Sequence, residues 1–122
     1  MIGVGGEKMS DCLFCKIAKG EIPSNKVYED DKILVFHDIS PEAPVHVLII
    51  PKQHITSMND INSENSDIIA HVFATIPKLV KKLGISENGY RVVSNALRDG
   101  GQTVPHLHFH LLGGRSLQWP PG

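Results

Sequence analysis

This 122-residue chain lacks many of the features that place an enzyme at a glance, and each gap removes a class of function. No apolar run approaches the roughly 20 residues that a membrane span needs. No secretory leader pattern opens the chain, so the expectation is a soluble, cytoplasmic protein with no membrane partner. Neither sign of charge is in excess: 12 Lys and Arg oppose 13 Asp and Glu. Without a basic footprint, nucleic acid is not an expected partner. G-x-x-x-x-G-K-[ST] and G-x-G-x-x-G are both missing, which removes two familiar phosphate loops. G-x-S-x-G and H-E-x-x-H are missing too, and with them the serine elbow and the zincin helix. No segment repeats. Cysteine is limited to Cys12 and Cys15. Their C-x-x-C spacing in a cytosolic chain points to metal or redox chemistry before a structural disulfide.

The length fits one domain, which at this size buries about two-thirds of the surface of its unfolded chain. Residues 1–10 hold three glycines and no apolar periodicity, and are expected to form a flexible tail. Asp11 is positioned to cap a short helix over 12–19, closed by Gly20. Two strands, 26–29 and 33–38, flank an Asp30-Asp31 turn. In the second, Ile33, Val35 and His37 share one face; Leu34, Phe36 and Asp38 share the other. A third strand covers 46–50 and stops at Pro51. Helix-start signals lie at 60–63. Apolar residues then recur at helical spacing from Ile68 to Leu83, with Pro77 expected to kink the helix and Gly84 to end it. A fourth strand covers 90–95, followed by a loop over 98–103. Adjacent strands with one long helix between the third and fourth indicate an α+β fold with an antiparallel sheet.

What the chain does have is histidine: seven in all. Three alternate with apolar residues in His106-Leu107-His108-Phe109-His110-Leu111-Leu112. Period two marks a half-buried strand, so the three imidazoles project from one face at steps of about 6.7 Å. Leu107, Phe109 and Leu111 face a core. One reading is nucleophilic catalysis, since a neutral imidazole attacks phosphorus or acyl carbon and then leaves readily. Another is a metal site, since H-x-H on a strand is a common ligand spacing. The plain alternative is surface histidines on a sheet edge, which strict alternation of three disfavours. Gly100-Gly101 before the strand lets backbone approach an anion, and Gln102 and Thr103 add an amide and a hydroxyl; a simple turn is the alternative.

The heptapeptide is similar to the signature of the histidine triad family, His-φ-His-φ-His-φ-φ with φ apolar. The resemblance runs from about residue 11 to 122. It includes Phe14-Cys15-Lys16-Ile17, Phe36-His37-Asp38-Ile39-Ser40-Pro41, Ile50-Pro51-Lys52-Gln53-His54-Ile55 and Asp99-Gly100-Gly101-Gln102-Thr103. The end, from Gly113-Gly114-Arg115 to Trp119-Pro120-Pro121-Gly122, resembles the nucleotide-binding branch. The resemblance implies a five-stranded antiparallel sheet with one long and one short helix, paired as a homodimer. It implies a site for purine nucleoside monophosphates, AMP or GMP, and hydrolysis of their phosphoramidates with no divalent metal at phosphorus. His108 would be the nucleophile, with His46 and His110 as supporting partners. Asn95, Gln102 and Thr103 would contact phosphate and leaving group. Phe36 would line the purine pocket, Asp38 would hold the ribose hydroxyls, and Leu13, Phe14, Ile17 and Ile39 would complete the walls. The tail over 113–122 would carry Trp119 toward the partner's active site.

In other members with the cysteine pair, resemblance implies a structural zinc held by Cys12, Cys15, His54 and His106. Reduced buried cysteines and a redox pair are the alternatives. Two further functional readings stand beside hydrolysis of phosphoramidates: dinucleoside polyphosphate hydrolysis, and nucleotide binding or scaffolding with incidental turnover. A zinc hydrolase using the triad as ligands is a third. His71 reads as solvated or near a dimer seam, and Lys52 and Arg115 read as surface charges.

Overall fold

The computed structural model describes residues 11–122; the tail expected over 1–10 lies outside the described residues. The elements are α1 (Leu13–Ala18), β1 (Lys26–Glu29), β2 (Ile33–His37), β3 (Val45–Pro51), α2 (Ser66–Lys82), β4 (Tyr90–Val93), α3 (Leu97–Gly100) and β5 (Phe109–Gly113). The strands form one antiparallel sheet in the order β1-β2-β3-β5-β4. The α+β reading and the five-stranded antiparallel sheet therefore hold.

Each face of the sheet is covered by a different helix. Ile33, Val35, Val47, Ile49, Leu107, Phe109 and Leu111 form the main core with Val72, Ile76, Leu79 and Val80 of α2. The opposite face carries Leu34, Phe36, Leu48 and Ile50, which pack against Cys12, Phe14, Cys15 and Ile17 around α1. Period-two alternation sorts side chains between these two layers. Burying one such Leu or Ile stabilises the fold by about 1.5–3 kcal/mol.

Several local expectations shift. The histidine segment enters the ladder only at Phe109, three residues later than its pattern suggests. Phe109 faces Ile49, so continuing the register would set Leu107 against Pro51, which has no N–H to give. Residues 106–108 bond elsewhere: His106 N–H to the Val104 carbonyl at 2.8 Å, Leu107 N–H to the Ile55 carbonyl at 2.6 Å, and the Ser94 hydroxyl to the His108 carbonyl at 2.8 Å. Cys12, not Asp11, caps α1, its Sγ accepting from the Cys15 N–H at 3.4 Å. The signals near residue 60 belong to a 3₁₀ turn, Met58–Asp60, closed by a Ser57–Asp60 capping box; α2 begins at Ser66. Pro77 lies on the exposed side within α2, where its missing N–H leaves the buried face untouched. The 98–103 loop contains the single helical turn α3, entered through Leu97 at φ 60°. His71 is not simply solvated, because its Nε2 meets Asp30 Oδ2 at 2.7 Å and ties α2 to the β1–β2 turn.

Gly113 ends β5 under the side chain of Ile85. A Cβ there would stand 2.8 Å from Ile85 Cδ1 and 3.1 Å from its Cβ. Gly113→Ala is expected to lower stability by about 1–3 kcal/mol through overpacking, measured by urea denaturation. Ile85→Val, which removes Cδ1, should recover part of that loss in the double variant.

Candidate active site and metal centre

Register across the sheet assembles the site. Leu48 of β3 lies opposite His110, and His46 opposite Leu112. On the other side of β5, Val93 lies opposite His110 and Arg91 opposite Leu112. His46, His108 and His110 thus occupy the α1 face of the sheet, as do Arg91 and Val93. Phe36 and Asp38 reach it from β2 and its end.

Two cavities meet at His110. One, of about 300 Å³, is lined by Leu13, Phe14, Ile17, Phe36, Asp38, Ile39, Leu48, Thr103, Val104, His108 and His110. It collects nearly every residue expected to bind the nucleoside. Phe14 stands edge-on to Phe36 and to His108, with centroids 5.8 and 5.1 Å apart. Ile39 at its rim is almost fully exposed. The second cavity, of about 350 Å³, is lined by His46, His110 and Asn95 together with Glu42, Arg91, Val93, Leu112, Arg115, Leu117 and Pro121.

Gln102 reaches neither cavity. Its Nε2 donates to the carbonyls of Thr56 (2.8 Å) and Val104 (3.0 Å), and its Oε1 accepts from the Leu97 N–H (2.9 Å). These bonds brace the 97–104 loop, which presents Thr103 to the first cavity. Arg115 is likewise more than a surface charge: its Nε and Nη2 donate to the Glu42 carbonyl at 3.1 and 2.9 Å. Lys52 pairs with Glu29 at 2.6 Å on the far edge.

Hydrogen bonds assign a tautomer to each central ring. His108 Nδ1–H donates to the His106 carbonyl at 2.7 Å, which leaves Nε2 with the lone pair. The Glu42 N–H donates to His46 Nδ1 at 3.0 Å, so the His46 proton sits on Nε2. That proton points at His110 Nδ1, 2.9 Å away, and Asp38 Oδ2 lies 3.4 Å from His46 Nε2. His110 must then carry its own proton on Nε2. Burial pushes the His108 imidazole below its ordinary range, against the opposing pull of the His106 carbonyl and the Asp38 charge. Burial, with charge on His108 and His46, pushes His110 down to about 4. Both rings are therefore neutral at pH 7.

His106 faces away from this cluster. Its Nε2–H donates to the Pro51 carbonyl at 2.8 Å, which turns the Nδ1 lone pair toward Cys12 Sγ (3.3 Å) and Cys15 Sγ (3.6 Å). His54 Nδ1 lies 3.2 Å from Cys15 Sγ, its Nε2 beside the Thr56 hydroxyl. The four ligand atoms all lie within 4.8 Å of one another and could hold a metal ion. A tetrahedral ion with bonds of about 2.3 Å to sulfur and 2.0 Å to nitrogen needs S···N edges of about 3.5 Å, which these spacings match. Asp38, His46 and His110 also converge closely enough to ligate.

Comparison with known proteins agrees with this geometry. The HIT domain model matches residues 19–117. The chain belongs to the HIT family. It is 46% identical over 107 residues to the purine nucleoside phosphoramidase of Escherichia coli K12, covering 88% of this chain and 90% of that protein. It is 50% identical over 112 residues to an uncharacterized HIT-like protein of Synechococcus elongatus, covering 92% and 97%. A HIT family hydrolase from Legionella pneumophila superposes with a TM-score of 0.89 at 54% identity, covering 92% of this chain and all of that one. A histidine triad protein from Clostridium difficile gives 0.87 at 51%, covering 92% and 96%. The HIT fold and a hydrolase ancestry are thereby shared. Among the described residues no helix is long and apolar enough to cross a membrane.

Because the folded-state value of His110 lies below the ordinary histidine value near 6.5, the unfolded chain takes up this proton first as pH falls. The contribution is complete above about 6.5 and is lost on descent toward about 4. Urea midpoints measured across that window should fall with pH, and His110→Gln should flatten the decline.

Proposed function

We propose that this HIT protein hydrolyses purine nucleoside 5′-phosphoramidates through a covalent nucleotidyl-His108 intermediate. One observation carries the reading: the bond from His108 Nδ1–H to the His106 carbonyl leaves Nε2 as the lone-pair nitrogen of a ring lining the 300 Å³ cavity. The named activity of the Escherichia coli relative supports the substrate class.

The nucleoside lies between Phe14 and Phe36, with Asp38 at the ribose hydroxyls and Leu13, Ile17 and Ile39 as walls. His108 Nε2 bonds to phosphorus as the P–N bond breaks, and the nitrogen, protonated from solvent, leaves as a neutral amine. His110 offers its Nε2–H to the phosphoryl group, held in that tautomer by His46. Asn95 and Thr103 flank the phosphoryl position from the two cavities. Water then attacks phosphorus, the bond to His108 breaks, and a nucleoside monophosphate and one proton are released. This splitting of one displacement into two is the gain that covalent catalysis provides.

The Cys12, Cys15, His54 and His106 centre is read as structural zinc: four protein ligands close the shell and leave no open position. It would hold α1 against the sheet and takes His106 out of proton transfer. The chain is also read as a cytoplasmic homodimer. Trp119 is 79% exposed and Phe73 of α2 50% exposed, and β4 is an open sheet edge.

His108→Ala should reduce turnover of a fluorogenic adenosine phosphoramidate by several orders of magnitude, and quenched wild-type enzyme should carry one nucleotidyl group on the peptide containing His108. Retention of most activity, or no adduct when formation outpaces breakdown, refutes the nucleophile assignment. Protein purified without chelator should hold about one equivalent of zinc per chain, and His106→Ala should lose zinc and stability together. A content below about a tenth of an equivalent refutes the metal assignment.

A further inference from the structure

The proposed reaction uses His46, His110 and Asn95 from the second cavity but leaves its outer half without a task. That half is built from two arginines. Arg91 stands on the edge strand β4, opposite Leu112 and in the same cross-strand row as His46. Arg115 follows the Gly113-Gly114 turn at the end of β5. Both line the cavity with Leu117 and Pro121, and Glu42 is the single acidic side chain among the lining residues.

Neither guanidinium is loose. Arg115 is braced by the Glu42 carbonyl and by the Ser116 carbonyl at 3.1 Å. Arg91 Nη2 donates to the Gln118 carbonyl at 3.0 Å, and its Cζ lies 6.0 Å from the centre of the Trp119 ring. All these partners are neutral. A guanidinium has five N–H donors, so each arginine keeps its full charge and donors to spare. Two cations fixed by backbone carbonyls, with one exposed carboxylate among the other lining residues, form a preorganised anion receptor.

The place of this receptor decides what it would meet. With the nucleoside in the first cavity and phosphorus against His108, the departing group lies past His110, in the second cavity. We propose that Arg91 and Arg115 form a leaving-group subsite selective for amines that bear an anion, in the first instance the carboxylate of an amino acid. This rests on the phosphoramidase reading and sharpens it: the favoured substrate is a nucleoside phosphoramidate of an amino acid, cleaved at P–N to the nucleoside monophosphate and the free amino acid. A charge-assisted contact of this kind is worth about tenfold or more in selectivity.

The test compares adenosine 5′-phosphoramidates of phenylalanine and of phenethylamine, which differ only by the carboxylate, with a dinucleoside triphosphate as a third substrate. Wild type should show kcat/KM about tenfold or more higher for the phenylalanine adduct than for its decarboxylated analogue. Arg91→Gln and Arg115→Gln should each bring that ratio toward one, and raised salt should narrow it in wild type alone. If the dinucleoside triphosphate is instead the arginine-dependent favourite, the receptor is confirmed and its anion is a phosphate. A ratio near one in wild type, or one that both variants leave unchanged, overturns the subsite while the phosphoramidase reading stands. Failure to cleave any of the three overturns the phosphoramidase reading, and the subsite falls with it.

Discussion

Pairing of β3 with β5 at the centre of the sheet is the constraint on which the site depends. In the observed register Leu48 faces His110 and His46 faces Leu112. A slip by one residue would reverse every side chain on β5. His110 would then enter the α2 core, and Leu111 would fill the cavity. Leu107, Phe109 and Leu111 hold the register because all three are almost completely buried against α2. The histidine face is therefore kept in place by the apolar one behind it, although no residue of that core lines either cavity.

Three chemically identical rings then become different by their hydrogen bonds alone. Burial keeps His106, His108 and His110 neutral, which avoids the large cost of a buried, unpaired charge. A carbonyl on Nε2 turns the His106 lone pair to the thiols; a carbonyl on Nδ1 turns the His108 lone pair to the cavity. His46 sets the tautomer of His110 through a proton that the Glu42 amide forces onto its Nε2. Backbone groups thus set the tautomers, the Pro51 and His106 carbonyls those of His106 and His108 and the Glu42 amide those of His46 and, through it, His110.

Much of this was legible in the chain. Alternation alone separated Phe36 and Asp38 from Val35 and His37, and the histidines from Leu107, Phe109 and Leu111. What escaped was non-local. Leu97 takes a left-handed conformation that sequence rules reserve for glycine, and it does so where the Gln102 side chain closes the loop from five residues away. Cys12 as a helix cap loses to Asp11 on propensity, yet Asp11 lies one position too early. Arg91 carries no motif. Only its period-two relation to Val93 and Asn95, read with the register, would have aligned it with the histidine face.

The short helix α1 joins the two halves of the site. Six residues are too few for a helix to persist in water on its own propensity, so tertiary contacts must hold it. Cys12 and Cys15 bring one side of it to His54 and His106, whereas Leu13, Phe14 and Ile17 form a wall of the first cavity. The spacing of these residues within one and a half turns leaves no freedom to move one set without the other. Phe14 makes the connection closest, lying edge-on to both His106 and His108 with centroids 5.9 and 5.1 Å away. Whatever fixes the two thiols therefore also fixes Leu13, Phe14 and Ile17, the wall of the cavity that His108 lines.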